Sequence, residues 1–436
     1  METEYGIPTV PMTTARFAEY IKQDSQAHGM PLRFSFTPYP VVGMPVPVLR
    51  RYVEGDDPVT GKPLMQEIID ALTRPVTGDE KKTESRPAPR PRFVEPDTED
   101  NLQRLFHANG WTDGLPVILP TEERVAQMLK GTSNAPDEIV GEMSITDARK
   151  VQQYTVEKIA VNAVMAGAKP EYLPVILALA STNEAAWPSS TTSFGRMILV
   201  NGPIRNELGM NSGVGGLSPL NQANSVIGRA WTLMTINFGT TVLGETFMAS
   251  QGNNLNYNNM CIAENEERSV WEPFHVQKGF RPDESVVSTF RGWSVLNSMG
   301  AINERPPQEE TVILLRAFTA LQSAATLILD PLVAKNLKEI QGFETKEAYC
   351  RWLSENVKIP AGQYCKADIN YAFMLPIAEQ GIEPYASWFK LPDDEMIAPY
   401  NIPEHINVIV MGGETNAFWK TTDFIYSMSV SIDKWR

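Results

Sequence analysis

The chain has 436 residues, of which 42% are hydrophobic and 21% charged, ordinary values for a globular protein of two or three domains. Its formal net charge of −14 disfavours nucleic-acid binding and attachment to anionic membranes, because both need a basic face. No apolar run reaches the ~20 residues of a membrane-spanning helix, and the first residues lack the pattern of a signal peptide. Three cysteines, an odd number, are typical of reduced thiols, so we expect a cytoplasmic protein.

The first 75 residues predict a small α/β half-domain. Residues 6–10 (GIPTV) and 32–37 are expected to form strands, while residues 13–28 and 65–72 show the apolar spacing of helices. A unit of this size buries little core by itself. We therefore expect it to pack on the rest of the chain or on a partner.

Residues 76–98 combine charge, proline and serine with almost no apolar side chains, which predicts a linker. A large α/β domain is expected over residues 99–436. Its predicted helices cover residues 99–108, 122–129, 155–168, 171–181, 223–237, 310–324 and 345–356, and its predicted strands cover residues 194–200, 326–329 and 406–411. This alternation indicates an α/β fold with a mixed or mostly parallel sheet flanked by helices. The sequence shows no internal repeat.

Three of the predicted strands end at polar residues, which are Asn201, Asp330 and, after two glycines, Glu414. In open α/β sheets, ligands bind beyond the carboxyl ends of the strands. We therefore expect these three side chains to lie near a functional site.

Residues 251–280 combine amide, acidic and aromatic side chains densely, which predicts the wall of a polar pocket. A helix over residues 263–268 would place Glu264 and Glu267 on one face, and His275 would complete a carboxylate–imidazole set. Such a set performs acid–base chemistry or binds a divalent transition metal. Glu264, Glu267 and His275 are therefore the predicted catalytic residues and metal ligands. The alternative is a solvated acidic turn whose glutamates pair with Arg268.

Cys261 lies in the same stretch and is a candidate catalytic thiol. Neighbouring carboxylates would raise its pKa, so it would react only if a cation such as His275 or Arg268 faced it. The alternative is a small buried residue. Asn253 and Asn254 are predicted substrate contacts, although asparagine also serves to form turns.

The segment over residues 201–219 is rich in glycine and asparagine, and its exposed N–H groups could form an anion-binding nest. Asn201 and Asn211 are predicted to orient the substrate. Asp113, in WTDGLP, is a further predicted substrate contact, with a simple Asp-Gly turn as the alternative. The glycine motifs that bind nucleotides are missing.

A resemblance to a known family rests on several long segments, which are residues 101–129, 155–182, 201–213, 263–280, 408–420 and 429–436. They resemble the large domain of the UGSC-type (seleno)protein family. Residues 6–45 are similar to the second half of that family's small α/β domain, whose first half carries a Cys/Sec-Gly-Ser-Cys motif. This sequence contains no Cys-Gly-Ser-Cys. The resemblance therefore implies either a lost redox centre or a smaller partner subunit that supplies the missing strand and motif; an incomplete sheet edge favours the partner.

These features predict the large subunit of a heteromeric enzyme that acts on a small polar substrate. The resemblance implies redox or lyase chemistry at a carbon–heteroatom bond, with a thiol, selenol or metal centre contributed partly by the partner. Two alternatives stay open. One is a hydratase or hydrolase that uses a metal-bound water, and the other is a non-catalytic scaffold subunit.

Overall fold

The computed structural model describes residues 7–27, 32–41, 43–75, 77, 92–143, 153–188, 190–239, 241–298, 300 and 305–436. In these ranges the strands are β1 (Met12–Thr14), β2 (Ser35–Thr37), β3 (Ile139–Glu142), β4 (Gln153–Thr155), β5 (Gly195–Asn201), β6 (Cys261–Ala263), β7 (Val286–Gly292), β8 (Val295–Asn297), β9 (Ala325–Leu329), β10 (Ile359–Pro360), β11 (Met396–Ile397), β12 (Ile406–Val410), β13 (Trp419–Thr422) and β14 (Ile425–Ser431). The α-helices are α1 (Ala18–Ala27), α2 (Val46–Glu54), α3 (Leu64–Thr73), α4 (Glu99–Ala108), α5 (Glu122–Met128), α6 (Val156–Ala166), α7 (Leu173–Ala180), α8 (Ile204–Glu207), α9 (Gln222–Gly239), α10 (Phe274–Gln277), α11 (Pro307–Leu315), α12 (Pro331–Glu339), α13 (Lys346–Asn356), α14 (Ala361–Cys365), α15 (Asp368–Glu379) and α16 (Tyr385–Trp388).

Two four-stranded sheets form the centre of the fold. The first has the strand order β14-β7-β5-β6, and the second has the order β8-β13-β9-β12. In the first sheet β5 pairs in parallel with β6 and antiparallel with β7. In the second sheet β9 pairs in parallel with β12 and antiparallel with β13. These mixed sheets with their flanking helices confirm the predicted α/β class.

The two sheets repeat each other in topology. The strands β5, β6, β7 and β8 of one half correspond in order and pairing to β9, β12, β13 and β14 of the other. The fourth strand of each half belongs to the sheet of the other half, because β8 pairs with β13 and β14 pairs with β7. The amino-acid sequence shows no matching repeat, so this two-fold arrangement is visible only in the structure.

Alternating side chains along β5 show how the layers stack. Met197 and Leu199 pack in one cluster with Ile328 of the second sheet, so the two sheets lie face to face. Ile198 and Val200 point to the opposite face and pack in a cluster with α6, α7 and α9. The outer face of the second sheet packs in the same way on α11, α12 and α13. The result is a four-layer helix–sheet–sheet–helix arrangement.

Local signals explain where several helices begin and end. The side chains of Thr155 and Thr345 cap the first N–H groups of α6 and α13, as threonine commonly does. The helix predicted over residues 310–324 is wrong beyond Leu315. Ala320 and Gln322 adopt left-handed φ angles of 52° and 56°, which no α-helix can continue through.

The amino-terminal half-domain is built on the parallel pair β1 and β2. The strand predicted over residues 6–10 is wrong, because the strand begins at Met12; Gly6 lies outside the described residues. The predicted helix over residues 65–72 is confirmed by α3, and α1 covers part of the one predicted over 13–28, whose last residue is also outside the described ranges.

The buried carboxylate of Asp57 accepts a hydrogen bond from the Phe36 N–H on the outer edge of β2 (2.7 Å). Arg16 Nη2 donates to Gly244 O of the large domain (3.2 Å). Most of the predicted linker, residues 76 and 78–91, lies outside the described residues. The domain boundaries therefore stay predictions.

Candidate functional site

The carboxyl ends of the parallel strands of both sheets meet at one edge of the fold. Just beyond β6, Asn265 N donates to Val410 O (2.8 Å) and Asn265 Nδ2 donates to Gly412 O (3.0 Å), at and beyond the end of β12. Beyond β9, Asp330 Oδ2 accepts a hydrogen bond from Glu414 N (3.0 Å). The polar strand ends that the sequence indicated are thus brought together.

Glu264 is fully buried at this edge. Its carboxylate accepts hydrogen bonds from Asn201 Nδ2 (2.7 Å), Phe274 N (2.7 Å), Lys346 Nζ (3.0 Å) and Val410 N (3.2 Å). Four donors match the roughly four lone-pair sites of a carboxylate, so no acceptor position is left for a substrate. Glu264 is therefore an anchor that joins the two halves of the fold.

Glu266 is the second carboxylate of the site, and its side chain is only 12% exposed. One of its oxygens accepts hydrogen bonds from Asn201 Nδ2 (2.9 Å) and Gly202 N (2.8 Å). The other lies 3.1 Å from Arg205 Nη2. Asn201 consequently bridges Glu264 and Glu266, which supports a role for it in positioning.

His275 is the unusual member of this cluster. Its side chain is 0% exposed, yet neither ring nitrogen has a hydrogen-bond partner among the described residues. Nδ1 lies 3.9 Å from Glu266 Oε1, beyond hydrogen-bond distance. Asn201 Oδ1 is likewise buried without a partner in the described chain. Buried polar groups are nearly always satisfied, so these atoms indicate a place for a ligand or water.

Glu267 points away from Glu264. The predicted helix over residues 263–268 is wrong, because β6 ends at Ala263 and only a 3₁₀ turn (Glu266–Arg268) follows. The Glu267 side chain is 55% exposed and accepts hydrogen bonds from Arg205 and Asn206. These bonds, those from Arg205 first, lower the pKa of Glu267 from its ordinary value of 4.5 to about 2.

We expect the melting temperature of Glu267→Gln to depend less on pH than that of the wild type when the pH falls below 4.5. A carboxyl whose pKa is lowered by folding contributes stability above its ordinary value of 4.5, and that contribution is lost as the pH falls towards about 2. The difference in melting temperature between wild type and variant should therefore shrink over this interval in scanning calorimetry. Glu272→Gln, at an exposed position without an ion pair to the described residues, is the control. A difference that does not change with pH would contradict the assignment.

The predicted metal set is not formed. Glu264 is saturated by its four donors and Glu267 is paired with Arg205, so neither carboxylate faces His275. In the part of the chain that the structure describes, no group of three or more His, Cys, Asp or Glu side chains could hold a metal ion. The structure therefore does not bring Glu264, Glu267 and His275 together as one set of ligands.

The alternative interpretation as a solvated acidic turn is also incomplete. Arg268 pairs with Glu414 through two 2.7 Å hydrogen bonds and not with the neighbouring glutamates. Glu267 and Arg268 are exposed, whereas Glu264 is buried. The segment therefore contributes one carboxylate to the interior and another to the surface.

Cys261 lies in β6 and is fully enclosed by core residues. Burial raises the pKa of its thiol to about 12. Among the described residues, neither His275 nor Arg268 lowers that pKa, and a protonated, inaccessible sulfur is a poor nucleophile. The structure therefore places Cys261 in the core, which favours the alternative of a small buried residue over a catalytic thiol.

Asn253 and Asn254 lie at the other end of β5. Asn253 Nδ2 donates to Ser193 O and Trp293 O (both 3.0 Å), and its Oδ1 caps a 3₁₀ turn. The seven residues of β5 separate this end from Asn201 by about 20 Å at ~3.4 Å per residue. Asn253 and Asn254 therefore do not share a pocket with Glu264 and His275, contrary to the prediction from the sequence.

Asn211 and Asp113 hold loops in place. Asn211 Nδ2 donates to Val214 O and Asn221 Oδ1 (both 2.8 Å), which closes the glycine-rich loop before α9. The Asp113 carboxylate accepts two hydrogen bonds from Arg229, of 2.8 and 2.9 Å. Both side chains are therefore engaged in structural hydrogen bonds, and neither is a hydrogen-bond partner of His275.

Sequence reasoning missed Lys346 and Glu266 as members of the site. Lys346 is the first residue of α13, where a lysine is ordinarily solvated, and nothing in its neighbours signals that it is 2% exposed. Glu266 lies next to two predicted residues, but only the 3₁₀ turn decides which of the adjacent carboxylates turns inward.

No helix in the described ranges is both long and apolar enough to cross a membrane. No protein-family model, curated protein or solved structure matches this chain.

Proposed function

We propose that this chain is the large subunit of a cytoplasmic enzyme that performs acid–base chemistry on a small polar substrate. The observation that carries the proposal is His275, a fully buried imidazole whose two nitrogens have no partner in the described chain, beside the Glu266 carboxylate. An unsatisfied buried imidazole costs stability, and such costs are typical of functional sites. Among side chains, imidazole is the one most often used for proton transfer near neutral pH.

The arrangement suggests a role for each residue. Glu266 would orient the ring by accepting from Nδ1–H once the 3.9 Å gap closes, which leaves Nε2 free to take a proton. Asn201 Oδ1 would accept a hydrogen bond from the substrate. Glu264 and Lys346 would hold Asn201 and the start of α10 in position.

The reaction class that fits is elimination at a carbon–heteroatom bond. His275 Nε2 would remove a proton from the carbon next to the one that bears the heteroatom. The C–H electron pair would form the double bond as the carbon–heteroatom bond breaks, and the imidazolium would return its proton to the departing atom. This sequence balances without an oxidant. Because the ring is fully buried, neighbouring segments must open to admit the substrate.

Any redox step would need a partner. Cys261 and Cys350 are buried with pKa values raised to about 12, and burial also raises the pKa of the Cys365 thiol. We propose that a smaller subunit with a Cys-Gly-Ser-Cys half-domain supplies the thiol or selenol. The amino-terminal pair β1 and β2 supports this, since an isolated two-stranded sheet is marginally stable and gains from an added strand.

The proposal is tested by measuring which compounds the protein consumes, without choosing a substrate in advance. The purified chain, together with any subunit that co-purifies, is incubated with a small-molecule extract of cells, and consumption of polar compounds is followed by mass spectrometry. We expect wild type and His107→Gln to consume the same compound, and His275→Gln to leave it unchanged. His107 is the matched control because it is an exposed histidine of α4. Equal consumption by His275→Gln and wild type, or none by wild type, would refute the proposal.

A further inference from the structure

A second set of buried polar groups without hydrogen-bond partners in the described chain lies near the amino end of β5, where Arg196 is about 17 Å from Asn201 at ~3.4 Å per residue. Arg196 is 5% exposed and its guanidinium lies over the Trp231 ring. Its Nε and Nη2 donate to Ala186 O and Ala185 O. Its Nη1 has no hydrogen-bond partner among the described residues.

Glu184 faces Arg196 Nη1 at a distance too long for a hydrogen bond. Glu184 Oε2 lies 3.8 Å from Arg196 Nη1 and is itself buried without a hydrogen bond to the described chain. The two side chains therefore form an ion pair without a hydrogen bond, and Arg196 Nη1 and Glu184 Oε2 each keep an unused hydrogen-bonding position in the described chain. In the same turn, Trp187 Nε1 is a third buried group without a partner in the described ranges.

Arg291 adds a second positive charge from the neighbouring strand. It is directly opposite Arg196 in the antiparallel pairing of β5 and β7, so both side chains project to the same face. Arg291 is exposed and makes no hydrogen bond or ion pair within the described ranges. Like charges placed opposite each other are destabilising unless an anion lies between them. Burial lowers the pKa of Arg196, Glu184 opposes this, and Arg291 adds to the lowering.

We infer that this end of β5 binds a small molecule that carries a carboxylate beside an ammonium group, the class of the α-amino acids. The carboxylate would bridge Arg196 Nη1 and Arg291, which are the free donors. The ammonium group would donate to Glu184 Oε2, which is the free acceptor. A plain anion would meet repulsion from Glu184, and a plain cation would meet it from the two arginines.

The site also adjoins the surface that holds the amino-terminal half-domain. The Trp187 ring stacks on Phe247, and Trp187 O accepts a hydrogen bond from Thr241. Thr241 and Phe247 lie on either side of Gly244 in the sequence, and the Gly244 carbonyl accepts a hydrogen bond from Arg16 of the half-domain. The ligand would therefore bind at the end of the sheet where the half-domain contacts the large domain, away from His275.

The test is titration calorimetry on the full chain with each common α-amino acid in turn, and with acetate and methylamine as single-charge probes. We expect at least one amino acid to bind saturably, and Arg291→Gln to weaken it at least about tenfold by removing a charge-assisted contact. Glu184→Gln should weaken the same amino acid but strengthen acetate, because the repelling carboxylate is gone. Both substitutions are at accessible or half-buried positions and spare the buried Arg196.

Two control variants establish where the amino acid binds. Arg104→Gln removes an exposed arginine on α4 and should leave binding unchanged. His275→Gln should also leave it unchanged, so failure of the proposed catalytic role would not affect this result. If no amino acid binds saturably, Arg196 and Glu184 are bridged only by water and the inference is wrong. Binding that survives Arg291→Gln would overturn it as well.

Discussion

Lys346→Met is expected to lower the free energy of unfolding by about 3–5 kcal/mol, the cost of leaving a buried charge without its partner. The Lys346 and Glu264 side chains are 2% and 0% exposed, and their 3.0 Å contact joins α13 of one half to the end of β6 in the other. The variant removes the ammonium group and leaves the Glu264 carboxylate enclosed with three neutral donors. Differential scanning calorimetry and urea unfolding measure the loss.

A double variant distinguishes the pair from simple packing. Glu264→Gln combined with Lys346→Met removes both charges but keeps an amide oxygen that can still accept from Asn201 Nδ2 and Phe274 N, and we expect it to recover part of the stability lost in the single variant. Lys335→Met is the matched control, since its 3.9 Å pair with Glu339 is exposed and should contribute little. If Lys346→Met is as mild as Lys335→Met, Glu264 is not held as a buried ion pair.

His275→Leu is expected to separate stability from activity. Leucine has a similar volume and no polar atoms, so replacing an imidazole without hydrogen bonds to the described chain should be neutral or should stabilise the fold by about 1–3 kcal/mol. Turnover of the compound consumed by wild type should fall by about 10²–10⁴, the usual contribution of a positioned acid or base. Calorimetry and the mass-spectrometric assay measure the two effects on one preparation.

The two possible failures of this prediction have different meanings. A marked loss of stability in His275→Leu would show that the ring has a structural hydrogen-bond partner, such as a fixed water. Unchanged stability with full turnover would show that the ring is not the base. Either result would contradict the proposed role of His275 as the acid–base residue.

The sequence predicted the parts of the fold that carry strong apolar patterns. The strands β5, β9 and β12 are dominated by apolar residues, α6 and α13 begin at threonine caps, and α9 is buried along most of its length, so all were predicted within a few residues. By contrast, β13 and β14 are rich in Thr, Ser and Lys. Their strand state depends on pairing with β9 and β7, which no local pattern reveals.

The sequence predicts only part of the site, because local patterns do not show which distant segments come together. The sequence predicts both Asn201 and Glu264 as site residues, and their side chains are hydrogen-bonded at 2.7 Å. Asn253 was grouped with them because it is close in sequence, but β5 and β6 run in parallel and carry the two segments to opposite ends of the sheet. Lys346 comes from more than 80 residues away in the sequence, so only the tertiary structure pairs it with Glu264.

The exchange of β8 and β14 between the sheets has a consequence for synthesis on the ribosome. The edge of the first sheet at β7 is completed only by Ile425–Ser431, which follow all four strands of the second sheet in the sequence. Neither half can close its own sheet while the other is still missing. The two halves must therefore mature together after β14 has emerged, and such distant pairings slow the final step.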